Sequence, residues 1–359
     1  MTRRAPVRML VVGLLAASLL GCDAGAPAAR AADLVPGPPT TLPGQYSAVD
    51  GIAELSNGAL LVPDPRERSL WFVPPAGPPT AVSRAGPGWN EYSLPERAFS
   101  CGDSGLVYDA GQRKLLVVGA AGEVRAATRL AEGFRGSQVK GVDAGCRIYL
   151  EGPGGGPGQP DSAPLVVWNG SGGDTATVAR VRATTYATYQ VSQQAGGRQS
   201  TMRMLLPEPF SNGDEWAAVG AGTILVLQNG PFRVFRVVPH QRPVLLPTGV
   251  KLPQVPVTEA DRRALTPEGV SIHWTVPETK PPLVDGSLHV SRGGRIAVQL
   301  HVAAGAGPRV LLLDSTGTRL RVVALTAGEK VVGVGTTRLY TTLPDADGLL
   351  VVRRYDLPE

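Results

Sequence analysis

Apolar residues in this chain fall in short runs that alternate with turn residues, and one arrangement is repeated. Its clearest copy begins at Asp50, continues through the apolar run Ile52–Leu55, turns at Asn57-Gly58 and resumes with Ala-Leu-Leu-Val. Runs of this length, rich in leucine and valine, are typical of β-strands. Glycine at the turn adopts the positive φ that a tight reversal requires. The pattern therefore predicts a strand–turn–strand unit.

The same unit returns five more times along the chain, at intervals of roughly 35–75 residues. A third apolar strand follows each pair, and several units have a fourth. The later copies begin at Asp103, Val139, Asp214, Asp285 and Glu329. A four-stranded sheet cannot bury both faces alone, whereas six sheets stacked around an axis can. We predict an all-β fold, a six-bladed β-propeller. A pair of β-sandwiches is the alternative, but it does not explain why the strand–turn–strand unit occurs six times.

The sixth unit ends without an outer strand, and a spare segment precedes the first unit. We expect the stretch 39–46 to supply that strand, so that an N-terminal strand closes the ring and the propeller spans 39–359. Two inserts interrupt the repeats, at about 183–209 and 247–284. In the second, Thr258 and Asp261 have the spacing of a capping box, which predicts a short helix.

The first 21 residues have the features of a bacterial lipoprotein signal peptide. A basic start is followed by an apolar run of about a dozen residues, too short to span a bilayer, and then by Leu19-Leu20-Gly21-Cys22. These last four residues resemble a lipobox, which implies lipidation of Cys22. Residues 22–38, rich in alanine, proline and glycine, then form a flexible tether. Cleavage at Ala29-Arg30-Ala31 is the alternative. Both interpretations place the protein outside the cytoplasm, and the first anchors it to a membrane of the cell envelope.

The charge of the chain excludes some classes of partner. The formal net charge is +5, and three of the basic residues lie in the leader, which leaves about +2. No basic run follows the leader, so we expect no nucleic-acid binding. No second long apolar segment follows it either. We expect a monomer that contacts the membrane through its lipid anchor only.

Two cysteines remain after Cys22, namely Cys101 and Cys146, and an exported protein with two thiols invites a disulfide. The repeat alignment places Cys101 before the inner strand of the second unit and Cys146 after the inner strand of the third. A five-residue strand spans about 17 Å, whereas a disulfide needs Cα atoms within about 7 Å. The alignment therefore predicts no disulfide.

The chain resembles a family of exported or lipid-anchored bacterial six-bladed propellers related to the NHL type, in a lipoprotein subgroup. The stretch VDGIAELSNGALLVPDPRERSLWFV (49–73) is similar to the family's first blade, and DSAPLVVWN, PVTEADRRAL and PETKPP look like landmarks of the subgroup. The resemblance covers about 46–358. It implies the propeller fold and says little about function, because propellers have many unrelated functions.

The repeated acids are the first candidates for a site. In propellers of this kind each inner strand lines the central channel, and the acids stand where those strands begin. A ring of carboxylates there would bind a hard cation such as calcium or attract a cationic ligand. Caps on backbone N–H groups are the ordinary alternative. The candidates are Asp50, Asp103, Asp214, Asp285 and Glu329.

Two further candidates lie near the fifth unit. Folding that unit about Gly293-Gly294 places His301 opposite Asp285 or Gly286, and an Asp–His contact can orient a general base. Lys280 is flanked by prolines and offers a fixed cation for an anionic ligand, or a salt bridge to a neighbouring carboxylate. The glycine run 152–158 does not lead into a helix and lacks the lysine of a phosphate loop. It is expected to be a flexible loop between the second and third strands of the third unit.

These observations favour a binding module whose protein or small-molecule ligand contacts the channel mouth, with the loops at 64–69, 151–163 and 344–348 around it. The alternative is a metal-dependent hydrolase. The calcium-dependent lactonase propellers resemble this arrangement in having acids at the channel, but they also need an asparagine and a glutamate on inner strands. The inner strands here are mostly apolar or small. We expect no cofactor, with calcium as the only candidate ion. A structural role in an envelope assembly is a third interpretation.

Overall fold

The structure is a computed structural model that describes residues 34–168, 175–195, 198–220, 222–247, 251–266, 270–317 and 319–357. The signal peptide and the tether up to residue 33 lie outside the described residues. Their interpretation therefore stays a prediction.

The described chain is almost entirely antiparallel β-structure. Strand β1 (Thr40–Thr41) comes first. Blade 1 contains β2 (Ala53–Glu54), β3 (Leu60–Asp64), β4 (Ser69–Val73) and β5 (Thr80–Ala81); blade 2 contains β6 (Pro95–Cys101), β7 (Ser104–Asp109), β8 (Lys114–Val118) and β9 (Val124–Arg129). After a 3₁₀ turn (Glu132–Phe134), blade 3 contains β10 (Gln138–Val142), β11 (Ile148–Glu151), β12 (Ser162–Trp168) and β13 (Thr175–Arg182).

The second half of the chain contains both inserts. The hairpin β14 (Tyr186–Ala195) and β15 (Arg198–Pro207) precedes blade 4, which contains β16 (Glu215–Gly220), β17 (Thr223–Asn229), β18 (Phe232–Val237) and β19 (Val244–Leu245). Then follow β20 (Val255–Pro256), helix α1 (Glu259–Ala264), β21 (Val270–Ile272) and β22 (Thr279–Lys280). Blade 5 contains β23 (His289–Val290), β24 (Ile296–Leu300), β25 (Arg309–Leu313) and β26 (Arg319–Ala324); blade 6 contains β27 (Lys330–Val334), β28 (Arg338–Pro344) and β29 (Leu350–Asp356).

The six sheets succeed one another around a central axis. Each inner strand contacts that of the next blade, in the order β2, β6, β10, β16, β23 and β27, and β27 in turn contacts β2. Strand β1 pairs with β29 as the outer strand of the sixth sheet, the position for which the sequence predicts an N-terminal strand. The prediction of an all-β propeller is confirmed.

The core lies between the blades, because each sheet is apolar on both faces. Burying a leucine or valine side chain in this way stabilises the fold by about 1.5–3 kcal/mol. Each junction between neighbouring blades has a cluster of buried side chains that both blades share; in order around the ring these clusters include Leu61 and Leu116, Tyr108 and Leu150, Leu165 and Ile224, Leu227 and Val298, Leu312 and Leu339, and Tyr340 and Val62. The last pair joins the first and sixth blades.

Blade 2 differs from the sequence prediction by one strand. Its inner strand is β6, Pro-Glu-Arg-Ala-Phe-Ser-Cys, and the stretch predicted as the inner strand is the second strand, β7. The prediction missed β6 because this strand contains Glu96 and Arg97, the second of which lines the channel, and lacks an apolar run. As a result, Asp103 lies in the turn after β6, on the opposite face from the start of the inner strands.

The prediction that Cys101 and Cys146 form no disulfide is wrong, because it placed Cys101 one strand too early in blade 2. Cys101 and Cys146 form a disulfide, with their Cα atoms 5.2 Å apart. Cys101 ends the inner strand of blade 2, and Cys146 lies in the turn that follows the inner strand of blade 3. The two residues therefore lie on the same face of neighbouring blades, where the prediction put them near opposite faces.

The inserts form ordered structure beside blades 3 to 5. Strand β14 pairs with β15 along ten residues and with β21 from the second insert. Helix α1 begins at the predicted capping box, in which the Thr258 hydroxyl accepts from the Asp261 backbone N–H and the Asp261 carboxylate accepts in return. Among the described residues, no helix has the length and apolarity to cross a membrane.

Candidate functional site

The central channel is narrow and is crossed by an arginine near each end. We call the face on which the inner strands begin the upper face, and the opposite face the lower face. At the lower face, Arg292 of blade 5 donates from Nη1 to the carbonyl of Gly102 in blade 2, at 3.3 Å. At the upper face, Nη2 of Arg97 in blade 2 lies 3.9 Å from the place that a Cβ on Gly286 of blade 5 would occupy. The cavity between them is about 50 Å³, enough for a few water molecules.

The predicted ring of carboxylates does not form. Asp50 lies at the upper mouth of the channel and pairs with Lys330 at 2.8 Å. Asp103 lies at the lower face and is exposed. Asp214 accepts from the backbone N–H groups of Arg182 (3.0 Å) and Asn229 (3.2 Å), so it has the capping role that was the ordinary alternative.

Glu329 faces away from the channel. Its buried carboxylate accepts from the hydroxyl of Tyr355 at 2.8 and 2.9 Å, from Thr341 at 3.3 Å and from Arg353 at 3.3 Å. These partners belong to the second and third strands of blade 6. Glu329 therefore links the start of the inner strand of blade 6 to the second and third strands of the same blade, and it does not contact the mouth.

A different set of charged residues meets at the upper mouth between blades 3 and 4. The Lys140 ammonium lies 3.0 Å from Oε1 of Glu151, and Oε2 of Glu151 accepts from the indole Nε1 of Trp216 at 2.7 Å. Burial would lower the pKa of Lys140, but the charge of Glu151 and the hydrogen bond to it outweigh burial and raise that pKa. Lys140 is therefore positively charged at neutral pH and is paired with Glu151.

Glu215 and Asp285 complete this group. Glu215, the first residue of the inner strand of blade 4, is buried and accepts from the backbone N–H of Gly286. Burial, reinforced by the charge of Asp285, raises the pKa of Glu215 to about 8. Asp285 is exposed and accepts from the hydroxyl of Thr184 at 3.0 Å. At neutral pH Glu215 is thus largely protonated, whereas Asp285 and Glu151 supply the negative charge.

The position of Glu151 in its blade shows why it is unusual. The corresponding last residues of the second strands in blades 1 and 2 are Asp64 and Asp109, both buried. Asp64 accepts from the backbone N–H groups of Ser47 and Ala48 at 2.7 and 3.2 Å. Asp109 caps the segment before its own inner strand in the same way. In blade 3 Glu151 makes no such backbone cap among the described residues and bonds to side chains at the mouth. Sequence reasoning missed this because it followed the acids before the inner strands.

A cavity of about 340 Å³ opens beside Lys140 and Glu151. One wall is the glycine run, which lies between the second and third strands of blade 3, as predicted from the sequence. The Gly155 backbone donates to Pro160 and accepts from Tyr186, each at 2.8 Å. Gly155 has a φ of +73°, and a Cβ there would lie 2.0 Å from the carbonyl oxygen of Thr184, so only glycine fits. Gln138, Gln159 and Leu205 also line the cavity.

Lys280 and His301 lie away from the mouth. Lys280 is buried and pairs with Asp261 of helix α1 at 2.6 Å, which is the salt-bridge alternative. The backbone of His301 bonds to Pro282, so the register places this histidine three residues from the predicted partner Asp285. Its ring meets Phe210 edge-on at 5.4 Å. Burial and the charge of Lys280 lower the pKa of His301 to about 4.

His289 is the histidine at the mouth, and the sequence analysis did not single it out. Its Nε2 lies 3.2 Å from the carbonyl oxygen of Val331. Burial and the neighbouring Arg97 guanidinium lower its pKa to about 3, so the imidazole is neutral. Because a carbonyl only accepts, Nε2 bears the proton and Nδ1 keeps its lone pair.

The described residues contain no group of three or more His, Cys, Asp or Glu side chains arranged to hold a metal ion. The carboxylates at the mouth are instead engaged with Lys140, Trp216, Thr184, Lys330 and a backbone N–H.

No protein-family model and no curated protein sequence matches this chain. Several solved structures are similar in fold. A gluconolactonase from Xanthomonas campestris is 15% identical with a TM-score of 0.46, each chain covered to 89%. The calcium-binding protein regucalcin from Agrobacterium tumefaciens is 12% identical, with a TM-score of 0.42 over 89% of this chain and 93% of the other. Virginiamycin B lyase from Staphylococcus aureus is 8% identical, with a TM-score of 0.43 over 89% and 99%. Likeness at this level carries no information on activity.

Proposed function

We propose that this protein is an extracytoplasmic, lipid-anchored propeller that binds a small polar ligand at its upper face, in the cavity beside Lys140 and Glu151. The observation that carries the proposal is the exceptional position of Glu151. In blades 1 and 2 the equivalent acid accepts from backbone N–H groups, whereas Glu151 pairs with Lys140 at the wall of a cavity and accepts from the indole of Trp216.

The cavity has the properties of a small-molecule site. Its 340 Å³ lies within the range of about 300–1,000 Å³ that is usual for ligand pockets. Amide, hydroxyl and charged side chains converge on it from blade 3 and from the first insert. The glycine loop that forms one wall is held by backbone hydrogen bonds, so the wall is in place before a ligand arrives. This favours a polar ligand over an apolar one, and a small molecule over a flat protein surface.

The lipid anchor and the location rest on the leader and Cys22. The subgroup of lipid-anchored propellers that the sequence resembles supports the same location. We retain the monomer and the absence of nucleic-acid binding as part of the proposal.

A metal-dependent hydrolase at the channel mouth remains the competing function. It would use the same carboxylates, but their observed partners are a lysine, an indole, hydroxyl and backbone groups. We therefore place binding first. The tests below use no added metal, so that they address binding alone.

The proposal is tested by thermal unfolding of the full-length protein in detergent with small polar probes. Glucose, ethanolamine and glycine represent uncharged, cationic and zwitterionic ligands. A probe at a hundred times its dissociation constant stabilises the fold by about 2.7 kcal/mol. We expect at least one probe to raise the unfolding midpoint of the wild type and of Glu132→Gln, an exposed control, but not of Glu151→Gln. Equal shifts in Glu151→Gln, or no shift with any probe, would contradict the proposal.

A further inference from the structure

We propose that the upper mouth of the channel binds an anionic group, a carboxylate or a phosphate, on the guanidinium of Arg97. The inference deepens the proposed function and rests on it, because it assigns the chemistry of one end of the ligand. It makes the ligand an anion whose remaining part occupies the cavity beside Lys140 and Glu151.

The first argument is the charge pairing at the mouth. Lys330 is neutralised by Asp50 at 2.8 Å, and Lys140 by Glu151 at 3.0 Å. Within the described ranges, no carboxylate lies within ion-pair distance of Arg97. Arg97 is half-buried and lines the narrow channel cavity, together with His289. A charge withdrawn from water in this way needs a compensating partner.

The second argument is that none of the described charged residues around Arg97 forms an ion pair with it. His289 uses its Nε2 proton on the carbonyl of Val331, and its ring is neutral. Asp50 is held by Lys330, and Asp285, which precedes Gly286, accepts from the Thr184 hydroxyl. Gly286 faces the guanidinium from across the channel and has no side chain to offer. The guanidinium of Arg97 is thus open to an anion that comes from outside the chain.

The third argument is geometric. A guanidinium presents two parallel N–H donors that match the oxygen pairs of a carboxylate or phosphate. Lys140 lines both the channel cavity and the 340 Å³ cavity, so the two spaces meet at its side chain. A ligand in the larger cavity can thus extend an anionic end past Lys140 toward Arg97. Glu215, the buried acid beside this path, bonds to a backbone N–H and carries little charge at neutral pH.

The test replaces chloride by acetate or by inorganic phosphate at constant ionic strength and follows thermal unfolding of the full-length protein in detergent. We expect one or both anions to raise the midpoint of the wild type, and the larger shift identifies the preferred group. Arg125→Gln is the matched control, because Arg125 is an exposed arginine of the same blade that pairs with Glu123. It should respond as the wild type does, whereas Arg97→Gln should lose the response.

A second measurement locates the anion and does not depend on the stability of a variant. The chain has four histidines, so ¹³C-labelled histidine gives few ring signals in an NMR spectrum. Titration with the preferred anion should shift the ring signal of His289 and leave that of His240 unchanged. Shifts of similar size at both histidines, or none at His289, would overturn the inference, as would a full thermal response in Arg97→Gln.

Failure of this inference and failure of the proposed function give different results. If glucose, ethanolamine or glycine binds in a manner that needs Glu151 while anions have no effect through Arg97, the ligand site stands and the anion assignment is wrong. If Glu151→Gln leaves every probe response intact while Arg97→Gln removes the anion response, the anion site stands and the cavity beside Glu151 is not the ligand site.

Discussion

Arg97 and Arg292 cross the central channel in opposite directions, one near each end. Arg97 projects from blade 2 toward Gly286 of blade 5, and Arg292 projects from blade 5 to the carbonyl of Gly102 in blade 2. In a ring of six blades, blades 2 and 5 are diametrically opposite. The space enclosed between the two arginines therefore has room for a few water molecules only.

The disulfide between Cys101 and Cys146 should contribute strongly to stability. It closes a loop with a sequence separation of 45 residues, for which loop-closure entropy gives about 4 kcal/mol. We expect urea unfolding to show that the double variant Cys101→Ser/Cys146→Ser has a free energy of unfolding lower than that of the wild type by about 4 kcal/mol. Reduction of the intact, denatured protein should add two hydrogens to its mass. An unchanged mass would show that the two thiols are free.

The buried carboxylate of Glu329 is expected to be structural. Replacing it by alanine leaves the Tyr355 hydroxyl and the Arg353 guanidinium without their acceptor inside blade 6. Breaking a buried pair of this kind costs about 3–5 kcal/mol. Urea unfolding should show this loss for Glu329→Ala and almost none for the exposed Glu132→Ala. A loss of less than 1 kcal/mol, a size usual for surface pairs, would mean that the carboxylate is not buried as described.

Lys280 should connect the second insert to blade 5. Its ammonium pairs with Asp261 of helix α1 at 2.6 Å and also donates to the carbonyl of Val302 at 2.9 Å. We expect Lys280→Met to lower the free energy of unfolding by about 3–5 kcal/mol, because Asp261 loses its counter-ion. The exposed Lys251→Met is the control. Adding Asp261→Asn to Lys280→Met should recover part of the loss, and simple additivity of the two variants would contradict a direct pair.

The repeated apolar runs carried most of the information about the fold. Strands such as β17, β24 and β27 are short apolar segments beside glycine turns, and the sequence located them correctly. Strand β6 was missed because a channel-lining strand with Glu96 and Arg97 does not look apolar, and a single missed strand moved Asp103 and Cys101 to the wrong faces. The second and third strands of blade 2, β7 and β8, have the same strand–turn–strand pattern as the first two strands of other blades. The local pattern alone therefore does not show which strand is the inner one.

The candidate site was harder to predict than the fold. The sequence found Asp50 and Asp285 at the upper mouth, but Asp214 and Glu329 start inner strands in the same way and are engaged in capping and in a buried network. The position before a strand does not determine whether a carboxylate faces the channel. Glu151 lies at the end of a second strand, and only its contacts across blades 3 and 4 distinguish it from Asp64.

Lipidation of Cys22 stays a prediction from the leader. Full-length protein produced in a bacterial host should partition into the detergent phase of a Triton X-114 extraction, and labelled palmitate should be incorporated. Cys22→Ser should abolish the label and shift the protein to the aqueous phase or leave it as an uncleaved precursor. A wild-type protein that is released in soluble form without label would favour cleavage after Ala31.

Glu215 should make the protein less stable as the pH rises from about 4.5 to 8. Its pKa is 4.5 when unperturbed and is raised to about 8 in the fold, chiefly by burial. Below pH 4.5 Glu215 is protonated in both the folded and the unfolded state, so it does not make the free energy of unfolding depend on pH. Above that pH the unfolded chain releases the proton while the folded chain keeps it, so the free energy of unfolding falls until the folded acid also ionises near pH 8.

The comparison with Glu215→Gln isolates this contribution, since glutamine imitates the protonated acid and does not titrate. We expect the variant to gain stability relative to the wild type between pH 5 and 8, and the difference to level off at higher pH. Because the charge of Asp285 contributes to the raised pKa of Glu215, that pKa should be lower in Asp285→Asn. The fall in the free energy of unfolding should then end at a lower pH in this variant than in the wild type. Urea unfolding at a series of pH values measures both effects. If the wild type and Glu215→Gln change in parallel over this range, Glu215 is ionised in the folded protein, and the upper mouth carries one more negative charge than described.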